Sequence, residues 1–197
     1  MKSNAFSKKT PLLGVTIIIM MFFGILFRPK RLFIVGFSTP FKFGGLYLEF
    51  ARQIHQNYYA LPATIPHYTQ GGLPFAYPPM PFYIESLLVF DLGLPEFLVV
   101  NLLPAVGSII SLVLFFILAR KIFKNKIVQL VSISIFSLFP ICYAEQLEGA
   151  GLAERFGTIF LILLMMAFWQ YYHDPLRFRN IMLASIVWAL TVLASPA

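Results

Sequence analysis

The stretch that decides the fold runs from Gly44 to Phe82 and reads GGLYLEFARQIHQNYYALPATIPHYTQGGLPFAYPPMPF. It is neither apolar enough to cross a membrane nor polar enough to be disordered. The chain on both sides of it consists of long apolar runs. If this protein carries out chemistry, we expect the reacting groups to lie in this stretch.

The first part of the stretch, residues 45–58, has the residue spacing of a two-sided helix. Charged and amide side chains recur every three or four residues and share one side. We expect this helix to lie in the membrane interface, with its apolar side towards lipid and its polar side towards water or a cleft. The polar side holds Glu49, Arg52, Gln53 and Gln56, and the apolar side holds Leu46, Tyr47, Phe50, Ala51, Ile54 and Tyr58.

The second part of the stretch, residues 61–82, is rich in proline and aromatic residues. Prolines at 62, 66, 74, 78, 79 and 81 forbid a regular helix. Gly71-Gly72 predicts a turn. The run that follows, residues 80–90, is apolar but too short to cross a membrane by itself.

The composition indicates an integral membrane protein. Hydrophobic residues make up 59% and charged residues 12% of the 197 positions, and the mean hydropathy is +0.80. Soluble domains average about 45–50% apolar and about 25% charged residues. The net charge of +7 comes from Lys and Arg at the ends of apolar runs, so it indicates membrane topology and not nucleic-acid binding. The single cysteine, Cys142, excludes an intrachain disulfide.

We expect an all-α polytopic fold, because lipid cannot satisfy an open backbone. The apolar runs predict five spans, and the chain between the first two forms an external loop, residues 28–97. Because the last run stops at Ala-Ser-Pro-Ala without a polar tail, we expect residues 1–197 to be the N-terminal membrane module of a larger protein. The five expected spans are 11–27, 98–119, 127–144, 157–172 and 181–197.

The basic residues predict the orientation. Residues 120–126 carry four Lys or Arg and are expected in the cytoplasm, together with the N-terminus, with residues 28–97 and 145–155 outside. We expect a multi-pass protein of the plasma membrane. Arg28, Lys30 and Arg31 then lie outside, against the general tendency. Seven of the eight carboxylates, all but Asp174, also fall on the outer face. Acidic residues contribute little to topology, so their gathering there needs another explanation.

Glu49 is the first candidate catalytic residue. A carboxylate on the polar side of an interfacial helix could face a cleft above the headgroups and accept a proton from a hydroxyl. The alternative is a solvated Glu49 paired with Arg52 or Gln53.

A second group of carboxylates, Glu145, Glu148 and Glu154, lies in the short external loop 145–155. Held close together, and with water, they could bind Mg²⁺ or Mn²⁺. The alternative is that any loop between two spans must be polar, and we favour it for Glu145 and Glu148. Glu154 differs because it starts the next helix beside Arg155, near membrane depth, where a charge tends to be functional.

The aromatic residues between Tyr68 and Tyr83, Tyr77 among them, lie on stiff backbone and suit sugar rings and isoprenoid chains. Interfacial anchoring is the alternative. His67 has no second His or Cys at ligand spacing, so a hydrogen-bonding role is favoured over a metal ligand. A lipid phosphate could bind to the cations at 28–31, although a simple helix-end anchor is favoured.

The order of parts resembles the N-terminal module of GT-C fold membrane glycosyltransferases, the superfamily of protein mannosyltransferases and lipid A aminoarabinose transferases. Leu46–Ile54 (LYLEFARQI) is similar to the xYxxxAxxI juxtamembrane helix of that family, and Tyr77-Pro78-Pro79 is followed by Phe82-Tyr83. Leu152–Phe156 (LAERF) is similar to the acidic start of a later helix.

The resemblance implies transfer of a sugar, with inversion, from a polyprenyl-phosphate donor to an acceptor on the outer face. It implies an acidic residue of the first external loop as the base, but this chain has Gly44-Gly45 where the family has that residue. Either Glu49, about one turn later, acts as the base, or the protein is not catalytic in that manner. Glu154 would orient donor or acceptor, and Arg52 would pair with the donor phosphate. The remaining expected substrate-binding residues are His67, Tyr68, Tyr77, Glu148 and Arg155.

The competing hypothesis is a non-catalytic membrane protein, either a transporter or a scaffold of the cell envelope. A transporter places polar or ionisable residues in the middle of its spans. Residues 98–119 and 157–172 show almost none, which disfavours it. The catalytic hypothesis further expects the loops with Glu49 and Glu154 to form one acidic cavity under the proline-rich segment.

Overall fold

A computed structural model describes residues 44–66, 70–138, 151–175 and 177–194. Within them the chain is mostly helical, with six α-helices, one π-helix and a two-stranded hairpin. The α-helices are α1 (Gly44–Gln56), α2 (Met80–Ser86), α3 (Glu96–Ile122), α4 (Lys126–Leu138), α5 (Gly151–His173) and α6 (Phe178–Ala194); the π-helix is Leu87–Asp91, and the strands are β1 (Thr64–Ile65) and β2 (Leu73–Pro74).

Two helices have the length and composition of membrane spans. The most apolar 18-residue windows of α3 and α5 reach mean hydropathies of 2.6 and 1.7. Large apolar side chains are exposed along α3 at intervals of three or four residues, at Leu102, Val106, Ile110, Val113 and Ile117. An exposed apolar stripe of this length suits a lipid environment. The expected spans 98–119 and 157–172 are therefore confirmed as helices that are long enough to cross.

The other expected spans are not confirmed. Within the described residues, α4 covers part of 127–144 and α6 covers most of 181–197, and these described stretches of 13 and 17 residues do not by themselves establish a span. The first span, 11–27, lies outside the described residues, as do Arg28, Lys30 and Arg31, the cysteine at 142, the end of 127–144 and residues 195–197.

Helix α1 confirms the predicted two-sided helix, but the surroundings of its apolar side differ from the prediction. Its apolar side does not face lipid, because Phe50, Ala51 and Ile54 are completely buried against the rest of the protein. The helix also ends at Gln56, two residues early. Tyr58 follows in a turn with a φ of 51° and is 96% exposed, so it does not belong to the apolar side.

The proline-rich segment folds back on α1 as a small antiparallel hairpin, which adds a short sheet to the expected all-α fold. Thr64 pairs with Pro74 and Ile65 with Leu73. Gly72 has a φ of 79° next to the turn at 70–71, as the Gly71-Gly72 pair predicts. The prolines exclude a helix here, and the hairpin satisfies backbone groups that a helix would otherwise have paired.

Helix α5 begins six residues before the predicted span 157–172. Gly151, Leu152 and Ala153 are buried in its first turn, so Glu154 and Arg155 belong to the helix and not to a loop. Leu152 packs against the aromatic side chains of α1 and α2, and this burial stabilises the early start.

Candidate functional site

The polar side of α1 carries a chain of hydrogen bonds that ends on α3. Arg52 donates from Nη1 to Glu49 Oε2 (2.9 Å) and from Nη2 to Glu96 Oε1 (3.1 Å). Gln53 donates to Glu49 Oε1 (2.8 Å) and to Gln56 Oε1 (3.2 Å). Both oxygens of Glu49 are thus occupied by the partners that the alternative interpretation named. Arg52 remains 37% exposed on its side chain, so a ligand can reach the guanidinium.

A polar cleft of about 270 Å³ lies directly beside this chain of hydrogen bonds. It separates the end of α1 from the proline-rich segment. Its polar walls are amide and hydroxyl side chains, which donate and accept hydrogen bonds without carrying charge. The cleft is lined by Gln53, Gln56, Asn57, Pro62, Ala63 and Thr64.

The buried side of α1 forms an aromatic cluster of Tyr47, Phe50, Phe75, Tyr77 and Phe82. Phe50 is at its centre, with ring centroids 4.9 Å from Phe75 and 5.0 Å from Phe82. Tyr47 and Tyr77 meet edge to face at 5.7 Å. The cluster fixes the hairpin and α2 on α1, so Tyr77 contributes to the core of this unit although it is partly exposed.

Glu154 lies near the tyrosines of this cluster. Burial raises the pKa of the Tyr47 hydroxyl far above its usual value, and the charge and hydrogen bond of Tyr77 and the charge of Glu154 add to the effect. Glu154 itself is exposed in the first turn of α5.

The two candidate catalytic carboxylates therefore have different surroundings. The charge of Glu154 helps to raise the pKa of the Tyr47 hydroxyl, whereas Glu49 forms hydrogen bonds with Arg52 and Gln53. Residues two positions apart on an α-helix, such as Tyr47 and Glu49, point in nearly opposite directions. The expectation of one acidic cavity shared by Glu49 and Glu154 is wrong, because α1 separates them.

Arg155 is completely buried between α3 and α5. Its Nη1 donates to Ser111 Oγ over 3.2 Å. Gly107 faces it, and a Cβ built at Gly107 would lie 2.5 Å from Arg155 Cγ. Arg155 is therefore placed to join two helices, and it is removed from the surface where a substrate would bind.

Two further polar groups do not appear among the sequence-based candidates. Glu85 on α2 is completely buried, and its two oxygens have no hydrogen-bond partner among the described residues. Burial, with a smaller effect from Glu96, raises the pKa of Glu85 to about 8. Glu85 could have been recognised from the sequence as the one charged residue in the apolar run 80–90.

The second group is His55 with Asp91 and Tyr59. His55 stacks on Phe90 at 5.1 Å with Nδ1 3.9 Å from Asp91 Oδ1, and Tyr59 donates its hydroxyl to Asp91. The backbone is unusual here, since Tyr59 has a φ of 63° and Asp91 ends the π-helix. Both features occur preferentially at functional sites. No sequence pattern brings residues 55 and 91 together.

The remaining expected site residues, His67, Tyr68 and Glu148, lie outside the described residues, as does Glu145. Within residues 44–66, 70–138, 151–175 and 177–194, no group of three or more His, Cys, Asp or Glu side chains is placed to hold a metal ion.

Comparisons with protein-family models, with curated proteins and with solved structures find no match to this chain.

Proposed function

We propose that this chain is the N-terminal membrane module of a glycosyltransferase, one that moves a sugar from a polyprenyl-phosphate donor to an acceptor on the outer face of the plasma membrane. The observation that carries the proposal is the polar cleft beside Glu49. Amides and hydroxyls at its walls suit the hydroxyl groups of a sugar, and the adjacent Glu49 and Arg52 supply a carboxylate and a cation.

In this proposal the N-terminus is cytoplasmic and the cleft lies outside. The candidate spans α3 and α5 hold the unit of α1, the hairpin and α2 at one end, since Arg52 bonds to Glu96 in the first turn of α3 and Leu152 packs on the aromatic cluster. That end is level with the headgroups, where the phosphate of a lipid-linked sugar lies.

The proposed reaction is a single inverting displacement. An acceptor hydroxyl gives its proton to Glu49, and its oxygen bonds to the anomeric carbon as the bond to the donor phosphate breaks. The phosphate leaves with the electron pair, and Arg52 balances its charge. For this step Gln53 must exchange its hydrogen bond to Glu49 for one to the sugar, which frees one oxygen of Glu49 as proton acceptor.

Glu154 has a separate role in the proposal. It is exposed near Tyr47 and Tyr77 on the other side of α1, where it orients the donor lipid or the acceptor. Tyr77 is 39% exposed and offers an aromatic face to an isoprenoid chain.

The test is consumption of polyprenyl-phosphate mannose, glucose or aminoarabinose by the full-length protein in liposomes. Glu49→Gln is expected to lower the rate about 100-fold or more, the usual contribution of a general base. Gln56→Leu, which places an apolar group in the cleft, is expected to weaken donor binding. Gln70→Leu removes an exposed amide outside the cleft and is expected to retain the wild-type rate. Wild-type turnover by Glu49→Gln would exclude Glu49 as the base.

One observation favours the competing class, a transporter. Arg155 and Ser111 lie buried between two membrane-length helices, and polar groups in such positions are typical of transport pathways. A transporter would not consume any of the three donors, and its solute flux would depend on Arg155 and not on Glu49.

A further inference from the structure

A second cleft lies at the opposite end of α3 and α5 from the proposed sugar site. It has a volume of about 500 Å³ and is formed where the ends of α3 and α5 meet the beginning of α6. We call it the basic cleft. It is lined by Lys121, Trp169, Gln170, His173, Asp174, Arg177, Arg179 and Asn180.

The charges of the basic cleft are strongly one-sided. Lys121 comes from the end of α3, whereas Arg177 and Arg179 lie close together at the beginning of α6, and all three are exposed. Asp174 is the one carboxylate in the lining, so with a neutral His173 the cleft carries two net positive charges. In the described part of the chain none of the three cations forms an ion pair, and Asp174 forms none either.

The connection between α5 and α6, which carries Arg177 and Arg179, is fixed by internal hydrogen bonds. The buried Asn180 side chain donates to the carbonyl oxygens of Asp174 (3.0 Å) and Gln170 (3.4 Å). His173 Nδ1 lies 2.8 Å from the carbonyl oxygen of Trp169, which leaves Nε2 of the ring for another partner. The backbone that carries Arg177 and Arg179 is thus held in a defined connection between α5 and α6 and not on a frayed helix end.

We propose that the basic cleft binds a phosphate group, carried either by an anionic lipid headgroup or by a soluble phosphate compound. Guanidinium and ammonium groups converge on the cleft, and phosphate is the anion they bind best in charge-assisted hydrogen bonds. The first turn of α6 adds the positive end of a helix. A cleft level with the ends of two candidate spans lies at headgroup depth, and Trp169 suits that depth. The proposal is independent of sugar transfer.

The test compares two variants that lose the same charge at the same end of the protein. Lys121→Ala/Arg179→Ala removes two cations of the basic cleft, and Lys124→Ala/Lys126→Ala removes two exposed cations that do not line it. Binding of short-chain phosphatidylglycerol to the whole chain is measured by native mass spectrometry in a neutral detergent. Micelles without charge exclude attraction to a charged membrane surface as the source of the difference.

We expect the affinity of the cleft variant to fall about 30-fold, the effect of losing two cations near a headgroup, and the control variant to bind like the wild type. Calorimetry with inorganic phosphate identifies the source: binding of inorganic phosphate assigns the site to a soluble compound, and binding of phosphatidylglycerol alone assigns it to a lipid. Both uphold a phosphate site. Equal affinities of the two variants for both phosphatidylglycerol and inorganic phosphate would overturn the proposal.

Discussion

The side chain of Arg155 on α5 fills the space that a side chain at Gly107 of α3 would need, in the contact between two membrane-length helices. Because Gly107 has no side chain, the stem of Arg155 passes over it to reach Ser111, and a Cβ at Gly107 would lie 2.5 Å from Arg155 Cγ and 3.3 Å from Cδ. A side chain at position 107 would therefore require Arg155 or one of the two helices to shift.

We expect Gly107→Ala to destabilise the protein by about 1–3 kcal/mol, the usual cost of overpacking a buried contact. The intrinsic helix preference of Ala would act in the opposite direction by about 1 kcal/mol and would not cancel the clash fully. Melting temperature in detergent is the measurement. Gly45→Ala in α1 is the matched control, since a Cβ there meets nothing within 4 Å. Gly107→Ala with the same melting temperature as Gly45→Ala would contradict the packing described.

The burial of the apolar side of α1 against protein gives a second prediction. Phe50→Ala removes the ring at the centre of the aromatic cluster and is expected to cost about 3–5 kcal/mol of stability. The control is Tyr58→Ala, since Tyr58 is 96% exposed and its removal should change stability by less than about 0.5 kcal/mol. If α1 presented Phe50 to lipid, detergent would solvate the site, and both variants would have the melting temperature of the wild type.

The buried carboxyl of Glu85 gives a prediction on pH. Its pKa rises from 4.5 to about 8 on folding, so between these values the folded protein keeps a proton that the unfolded chain has lost. Stability therefore falls as the pH rises through this window, by about a few kcal/mol, and levels off above pH 8. Glu85→Gln, which is always neutral, should remove this fall and exceed the wild type in melting temperature at pH 8.5.

Asp174→Asn is the control for that experiment, because it removes an exposed carboxylate and should keep the pH dependence of the wild type. A wild-type melting temperature that is constant between pH 5 and 8.5 would show that Glu85 is not buried as a neutral acid.

The sequence predicted features that depend on residues close together in the chain. The two-sided pattern of 45–58 placed α1 with a two-residue error at its end. The prolines correctly excluded a helix over 61–79, but the expectation was wrong for 80–82, because α2 begins at Met80 and Pro81 lies in its first turn, where proline is tolerated. Long apolar runs located α3 and α5 because spanning helices need continuous apolar sequence. Glu49 and Arg52, at helical spacing, were predicted as a possible pair and form one.

Contacts between distant residues were not predictable in the same way. The apolar side of α1 looks the same whether lipid or protein covers it, so only the position of the hairpin and α2 decides between them. The bond from Arg52 to Glu96, 44 residues apart, has no signature in local spacing. The separation of Glu49 from Glu154 likewise depends on which side of α1 meets α5.

The central claim is that a sugar occupies the cleft between the end of α1 and the proline-rich segment. Cys142 is the one cysteine of residues 1–197, so in this module Cys142→Ser/Thr64→Cys leaves a single thiol, which lies in the lining of that cleft. At a donor concentration ten times its Kd, about one site in eleven stays free, so alkylation by a charged maleimide should slow about tenfold. Cys142→Ser/Lys124→Cys at the other end of α3 should react at an unchanged rate. The account predicts protection by polyprenyl-phosphate sugar and none by polyprenyl phosphate alone; equal alkylation rates with and without the sugar donor would contradict it.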